Sequence, residues 1–330
     1  MTADIGAPAL PTVADSGTAA AAAPEVRVGT HSVPERYLYA YAMRGEVIQH
    51  VRTLASPADR SRLPAILADW DTLQSAVRTQ QAAEAGLPDN IEIKELPTAA
   101  GAFTAITLAD PLVAKAFGSW SHDIAMAEIG KLVFPQRAIN EWYVGQLKSQ
   151  YPSRPDLEDL LRICVSPRTG MAPIQHLEVA PNTHVFTSPN TDLRFLGAFL
   201  KDEIELPDTS LVEAGGLPAA AVLGFVGYGT PVINAFRVGQ RLILNNGHHR
   251  VCALQELGVT KIPILILEAP NPAAQVPAII GGTPRELCLV PRPPLAKDLL
   301  EERLSITLQV KERIKQLTAI INVSQYDIPA

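Results

Sequence analysis

The sequence predicts an α+β protein in which a helical N-terminal domain precedes a small α/β domain and a C-terminal helix. Three observations lead to this prediction. Apolar residues recur at spacings of three and four over much of residues 34–85 and 111–151. Between residues 174 and 267, short apolar runs are separated by turn signals and one short helical pattern. Leucine, isoleucine and valine then recur through residues 295–321, which predicts a long amphipathic helix.

The composition excludes several classes of protein. The chain has 330 residues, of which 47% are hydrophobic, so it can build a core. Its formal net charge of -6 argues against a sequence-independent nucleic-acid binder. No apolar stretch reaches the roughly 18 residues that a membrane-spanning helix needs. The start lacks the pattern of a secretory signal, and the three cysteines show no close pairing, so we expect a cytoplasmic protein, bacterial in type, with reduced thiols.

The N-terminal half divides into a leader and a helical domain. Residues 1–30 are rich in alanine, proline and threonine and contain no aromatic residue, so we expect a disordered leader. Residues 31–164 form the expected helical domain, beginning with a helical hairpin that ends near Gly86. Residues 125–147 have some helix-turn-helix character, but an ordinary helical hairpin is the commoner origin of such a pattern, and the acidic net charge also favours that reading.

The α/β domain is expected over residues 165–290, followed by the C-terminal helix over 291–330. A first strand is predicted at 174–179, a short helix at 192–199, and a loop or lid around the glycines of 224–229. Residues 232–238 and 241–244 flank Gly239-Gln240, which predicts a β-hairpin with a two-residue turn. A glycine turn, a helix ended by Gly258 and a strand at 262–267 complete the unit.

The candidate binding site is the turn from the hairpin into that helix. It reads Asn246-Gly247-His248-His249-Arg250. A helix N-terminus presents free N–H groups and partial positive charge, and therefore attracts anions. Arg250 would oppose the helix dipole in this position, and a bound anion would offset that placement; the alternative is a surface salt bridge with Glu256 or an acidic loop. The histidines can donate to phosphate oxygens, although only one of them need face the ligand while the other packs or caps. A metal site is not expected, because no third ligand stands at a recognisable spacing.

Residues 244–267 resemble the signature turn of the ParB/sulfiredoxin superfamily, with a looser similarity back to residue 174 and none in the first 160 residues. The resemblance implies a small α/β domain that binds a nucleotide: CTP in the chromosome-partition members, and ATP or ADP in sulfiredoxins and free serine kinases. Magnesium would accompany the nucleotide in some of these reactions. Residues 246–250 are the positions that would bind it.

The chain departs from the catalytic members of that family at two positions. His248 stands where sulfiredoxins have their cysteine, and Cys252 lies in an apolar helical segment, so a sulfiredoxin reaction is not expected. Asn246 replaces the aspartate of the kinase-like members, and an amide cannot act as a base. Glu178, at the end of the first strand of the domain, is the one candidate for a replacement base. The alternative for this residue is a solvent-facing strand position.

Three functions remain open at the level of sequence. The first is a nucleotide-dependent binding or regulatory module, which needs only the anion site. The second is a small-molecule kinase or nucleotide hydrolase, which also needs a base. The third is a DNA-binding regulator, which needs a basic recognition element that the sequence does not favour. The apolar stripe of the C-terminal helix must be covered, either by its own domain or by a second copy of the chain, and of these we favour a homodimer formed through that helix.

Overall fold

The computed structural model describes residues 32–167, 174–188, 193–201, 220–313 and 315–321. Within them the chain is α+β, as the sequence predicts. The leader expected over residues 1–30 lies outside the described residues.

Ten α-helices are present in the described ranges, several of them only one or two turns long. They are α1 Arg44–Leu54, α2 Pro57–Ser61, α3 Leu63–Ala83, α4 Gly101–Ala109, α5 Pro111–Phe117, α6 Glu141–Gln150, α7 Leu157–Val165, α8 His248–Glu256, α9 Pro272–Gln275 and α10 Arg285–Cys288. Short 3-10 turns connect some of them, including Ala296–Leu300 and Glu302–Leu304 near the C-terminal end.

The β-strands of the described residues form one five-stranded sheet, two three-stranded sheets and two two-stranded sheets. They are β1 Ser32–Tyr37, β2 Ile93–Lys94, β3 His122–Glu128, β4 Ala138–Asn140, β5 Gln175–Ala180, β6 Thr183–Ser188, β7 Arg194–Lys201, β8 Ala221–Gly227, β9 Asn234–Val238, β10 Arg241–Asn246, β11 Lys261–Glu268, β12 Ile279–Ile280, β13 Thr283–Pro284, β14 Ile306–Lys311 and β15 Lys315–Ile320.

The central sheet has the strand order β10-β9-β11-β3-β2. Strands β9 and β10 form the predicted hairpin, whose turn contains Gly239 with a φ of 62°. Helix α8 then connects β10 to β11, and β11 lies parallel to β9 and antiparallel to β3. The interior of β11 is fully apolar and buried, as is usual for a strand covered on both faces.

The helical domain expected over residues 31–164 needs one correction, because it also contributes strands. Strand β3 of this region is a member of the central sheet, and β1 pairs with β4 and β14 in a second sheet. One continuous core includes Val113 from α5, Leu161 from α7, Leu254 from α8 and Leu265 from β11. Residues on both sides of the expected boundary at 164 therefore share a single apolar interior.

The predicted C-terminal helix is wrong. Residues 295–321 form two short 3-10 turns and the strands β14 and β15. The apolar positions Leu304, Ile306, Leu308 and Val310 are spaced by two, which is the period of a strand. Strand β14 pairs along its whole length with β1, so the alternate side chains are buried in the second core and the remainder face outward. The homodimer expected through this segment therefore loses the helix on which it was based, as far as the described residues 295–313 and 315–321 extend.

Two further sheets are separate from the central sheet. Strands β15, β6 and β5 form a three-stranded antiparallel sheet, and β5 matches the strand predicted at 174–179. The helix predicted at 192–199 and the lid predicted at 224–229 are replaced by the antiparallel strands β7 and β8.

No single helix in the described ranges is long and apolar enough to cross a membrane. One bent pair, Thr98–Ala109 with Pro111–Phe117, meets the length and composition only when its two helices are taken together.

Candidate functional site

The turn into α8 depends on a glycine for two physical reasons. Gly247 has a φ of 99°, a backbone conformation that side chains with a Cβ disfavour. A Cβ placed there would also lie 2.7 Å from Ile233 Cγ1, well inside van der Waals contact. No side chain caps the N-terminus of α8, so its first N–H groups are left without a side-chain acceptor. The glycine thus brings an uncapped helix terminus close against the strand region that precedes β9.

Two asparagines tie this turn to the segment before β9. The Asn245 side-chain amide donates to Asn234 Oδ1 over 2.8 Å, and the Asn234 amide donates in turn to the Val232 carbonyl. The Asn246 amide donates to the Thr230 carbonyl over 3.2 Å. Asn246 therefore serves to position the turn, and its carboxamide has no capacity to act as a base.

His248 is a buried, neutral side chain. It is 6% exposed, and its ring meets the Phe134 ring edge-on at a centroid distance of 4.9 Å. Burial, together with a smaller effect of the neighbouring His249, lowers its pKa to about 3, while a hydrogen bond with the Leu244 backbone acts in the opposite direction. Its Nε2 atom is buried without a hydrogen-bond partner in the described residues. A buried polar atom of this kind is destabilising unless something pairs with it.

His249 lies half-buried at the same turn and has a clear hydrogen-bonding role. Its Nε2 accepts the backbone N–H of Asn140 over 3.2 Å, so the proton of the neutral ring resides on Nδ1. The ring also meets the Tyr143 ring edge-on. Burial lowers the pKa of His249 to about 4, although the Glu35 carboxylate opposes the shift. The two adjacent histidines therefore differ, since one packs on a phenyl ring and the other receives a backbone donor from Asn140, the last residue of β4.

Arg250 is half-buried, and its charge is only partly compensated. Its Nη1 donates to the Ile163 carbonyl over 3.0 Å. No carboxylate of the described residues forms an ion pair with it. Glu256, the partner that a plain surface salt bridge would use, instead binds Arg36 and Lys148. Burial lowers the pKa of Arg250, and the groups that oppose this shift are the Cys164 thiol and two tyrosine hydroxyls rather than acids.

A second arginine shows what full compensation looks like in this chain. Arg292 is almost entirely buried, and its guanidinium makes two hydrogen bonds to Asp298 and another to Glu84. These carboxylates raise the pKa of Arg292 despite its burial. Where Arg292 has two carboxylates, Arg250 has only the Ile163 carbonyl, so its guanidinium can still bind an anion.

The cysteines do not form a reactive centre at the turn. Cys252 is 2% exposed, and burial raises its pKa well above the usual range. A thiolate is the reactive form, so this side chain is a poor nucleophile at neutral pH. Cys164 and Cys288 are also buried and unpaired.

Glu178, the candidate base, lies in β5 with an exposed side chain. It pairs across the strand with His184 in the sheet formed by β15, β6 and β5, which is distinct from the central sheet that supports α8. The structure therefore gives it a strand-surface position, which was the alternative expected for this residue.

The sequence did not reveal the groups that α6 and α7 bring to the turn. These are the Asn140 N–H, the Tyr143 ring and the Ile163 carbonyl. Asn140 could have been predicted as the N-cap of α6, because its side chain precedes a helical stretch and accepts the Tyr143 N–H. Its contact with His249 joins residues 109 positions apart, and no local signal predicts it.

A second polar cluster lies on the other side of β1. Glu35 is buried, and its carboxylate accepts from His50 Nε2 at 2.8 Å and from Arg313 Nη2 at 3.0 Å. The His50 ring stacks on Tyr37 at a centroid distance of 3.9 Å. A cleft of about 460 Å³ opens beside them. The Glu35 carboxylate is already bonded to both His50 and Arg313, so this cluster has the character of a structural network.

Metal ligation has no support in the parts of the chain that the structure describes, where no group of three or more His, Cys, Asp or Glu side chains converges. No protein-family model, no curated protein and no solved structure matches this chain. The function is therefore argued from the site itself.

Proposed function

We propose that the N-terminus of α8 binds the phosphate groups of a nucleotide and that the protein is a nucleotide-dependent binding or regulatory module. The observation that carries this proposal is Arg250. It is a half-buried guanidinium at a helix N-terminus, bonded to one carbonyl and to no carboxylate of the described residues. A cation in this position is disfavoured both by burial and by the helix dipole. A bound phosphate removes both penalties.

Three neighbouring features support the same ligand class. The first N–H groups of α8 carry no side-chain cap, so they are free to donate to an oxyanion. Gly247 has no Cβ that would keep a phosphate from the backbone. The buried Nε2 of His248 lacks a partner in the described residues, and a rearrangement that gave it one would stabilise the site.

The histidines are neutral in the free protein. Burial holds the pKa of His248 at about 3 and that of His249 at about 4, so neither carries charge at pH 7. A phosphate brought within reach would raise both values, because an opposite charge favours the protonated form. We therefore expect proton uptake to accompany binding at mildly acidic pH.

The nucleotide itself is proposed from the family resemblance of residues 244–267. In a ParB/sulfiredoxin-like domain the ligand would be CTP, ATP or ADP, with magnesium where the reaction requires it. We place binding ahead of phosphoryl transfer or hydrolysis, because the Asn246 amide is engaged with the Thr230 carbonyl and Glu178 lies on another sheet. Neither residue supplies a base at the turn.

Calorimetric titration with CTP, ATP, ADP, GTP and inorganic pyrophosphate, with and without magnesium, tests the proposal. Arg250→Ala should weaken the tightest of these ligands by about 1.5–3 kcal/mol, or roughly 10- to 150-fold, the usual worth of a charge-assisted hydrogen bond. The matched control is Arg237→Ala, which removes an arginine that already has Glu268 as its partner. That variant should bind as the unmodified protein does.

Two results would overturn the proposal. One is unchanged affinity in a folded Arg250→Ala protein, which would place the ligand elsewhere. The other is the absence of any binding to these probes at millimolar concentration in the unmodified protein.

A further inference from the structure

The β7–β8 hairpin is an apolar structure exposed to solvent. Strands β7 and β8 pair with each other and with no further strand among the described residues. The large apolar side chains of both strands are between 42% and 73% exposed; they are Phe195, Leu196, Phe199, Leu200, Val222, Leu223 and Phe225. Such a contiguous patch exceeds the scattered apolar exposure that is normal on a protein surface.

Both faces of the hairpin are apolar. Phe199 pairs with Leu223, and its ring stacks on Phe225, so these three side chains share one face. Leu200 and Val222 are the next pair along the ladder and therefore lie on the opposite face. A strand that rests on a core with one face in water alternates between apolar and polar residues, whereas strands covered on both faces are apolar throughout. The hairpin has the second pattern.

The interior of the paired region also carries no charge. No charged residue stands between Phe195 and Leu200 or within β8, and the nearest cationic residues are Arg194 and Lys201 at the ends of β7. An uncharged surface of this kind does not repel a copy of itself. The two open strand edges can pair with the same edges of a second chain around a two-fold axis.

We propose that the β7–β8 hairpin is a self-association surface, on which a second copy of this chain places its own hairpin. At roughly 100 Å² for each half-exposed large side chain, the apolar patch amounts to about 600–700 Å². These side chains are divided between the two faces, so one copy that packs on a single face and pairs along one edge covers about half of that area directly. An interface of this size is below the roughly 800 Å² per partner of a stable complex and is typical of a weak, concentration-dependent dimer. The proposal does not depend on ligand binding at α8.

A lipid surface is the alternative that the charges disfavour. The segment that joins the two strands, residues 202–219, contains five acidic residues and no basic residue: Asp202, Glu203, Glu205, Asp208 and Glu213. The whole chain has a net charge of -6. Anionic lipid headgroups attract basic rather than acidic segments, so insertion of this hairpin would bring like charges together.

Sedimentation velocity over a range of 1–100 µM is the first test. The full-length protein should form a dimer, and Phe199→Glu and Leu200→Glu, one on each face, should each lower the association constant by roughly 100-fold or more, because a charge would be buried without a partner. The matched control is Ile106→Glu on α4, which also replaces a largely exposed apolar side chain. It should leave the association constant unchanged.

A thiol placed on the hairpin gives a second readout that does not depend on how well the glutamate variants fold. The three native cysteines are all buried, so Ala198→Cys adds the one accessible thiol, at an exposed position of β7. Mild oxidation should convert this variant to a disulfide-linked dimer, whereas Ile106→Cys should remain monomeric on a denaturing gel.

The proposal is overturned if the unmodified protein is monomeric at 100 µM, or if it dimerises equally well with either glutamate in place and without cross-linking at position 198. Flotation with vesicles of neutral or anionic phospholipid would also overturn it if the hairpin variants abolished that binding. Such a result would assign the patch to lipid.

Discussion

The turn into α8 and the β7–β8 hairpin depart from the ordinary distribution of polar and apolar groups in opposite directions. At the turn, the His248 ring and the Arg250 guanidinium lie buried or half-buried with too few partners. On the hairpin, seven large apolar side chains lie in solvent. Each arrangement is unfavourable in the isolated chain, and each would be relieved by a different kind of partner. A small anion suits the first, and a second protein surface suits the second.

The two regions also differ in what holds them. Helix α8 contacts α6, β4 and the 3-10 turn Ala296–Leu300, and Arg250 donates to α7, so its first residues are fixed by contacts from distant parts of the chain. The hairpin is held mainly by its own ladder. Fixed neighbours around α8 suit a site that must position a few hydrogen-bond donors accurately. A hairpin with open edges suits contact with another chain.

The first prediction compares the same residue type in the two regions. Leu254→Ala in α8 should lower the free energy of unfolding by about 2–5 kcal/mol, because a fully buried side chain leaves a cavity. Leu200→Ala on the hairpin, more than half exposed, should change it by no more than about 0.5 kcal/mol in dilute solution. Urea denaturation followed by circular dichroism measures both.

Protein concentration sharpens that comparison. If the hairpin mediates association, the effect of Leu200→Ala should grow as the concentration rises, while that of Leu254→Ala should not. A large effect of Leu200→Ala in dilute solution would mean that the hairpin packs on its own chain.

The second prediction concerns the backbone of the turn. Gly247→Ala should lower the free energy of unfolding by about 2–4 kcal/mol, since it combines a strained φ with a clash against Ile233. Gly239→Ala in the β9–β10 turn also has a positive φ, but no atom lies near the added Cβ, so we expect a loss of about 1 kcal/mol. Equal losses in the two variants would contradict the close approach at Gly247.

The third prediction is a loss of stability in acid that originates at the turn. Both histidines have a folded-state pKa below the unfolded value near 6.5, so the unfolded chain takes up protons that the folded chain does not. Their contribution to stability is complete above pH 6.5 and declines as the pH falls toward about 4. Between pH 7 and pH 5 each histidine should account for a loss of about 2 kcal/mol.

The pH dependence of the unfolding free energy should therefore be shallower in His248→Gln than in the unmodified protein. His176→Gln, which alters an exposed residue of β5, is the control and should keep the original slope. A His248→Gln profile parallel to that of the unmodified protein between pH 7 and pH 5 would show that the histidine is not held neutral by burial.

The sequence allowed the elements around the candidate site to be predicted because their signals are local and agree with one another. Gly239-Gln240 between two apolar runs predicted the β9–β10 hairpin, and Gly247 and Gly258 marked the ends of α8. The same signals placed Arg250 in the first helical turn, where its charge opposes the helix dipole. Binding of a nucleotide there stays a prediction.

The roles within the site could not be predicted in the same way. Nothing in the adjacent pair His248-His249 indicates which ring packs on Phe134 and which accepts from Asn140. Both contacts come from elements more than a hundred residues away in the chain. The absence of a carboxylate beside Arg250 likewise depends on Glu256 being drawn to Arg36 and Lys148.

By itself, the sequence determined the α+β class, the hairpin and helix that form the turn, and the need for glycine at its corner, since each depends on the conformational preferences of a few neighbouring residues. The tertiary structure decided that residues 306–311 form a strand rather than a helix, because β1 offers them an edge to pair with. It also decided that β7 and β8 lie in solvent while the equally apolar β11 is buried. The apolar composition of a segment indicates that it needs to be covered, but only the packing of the folded chain determines what covers it.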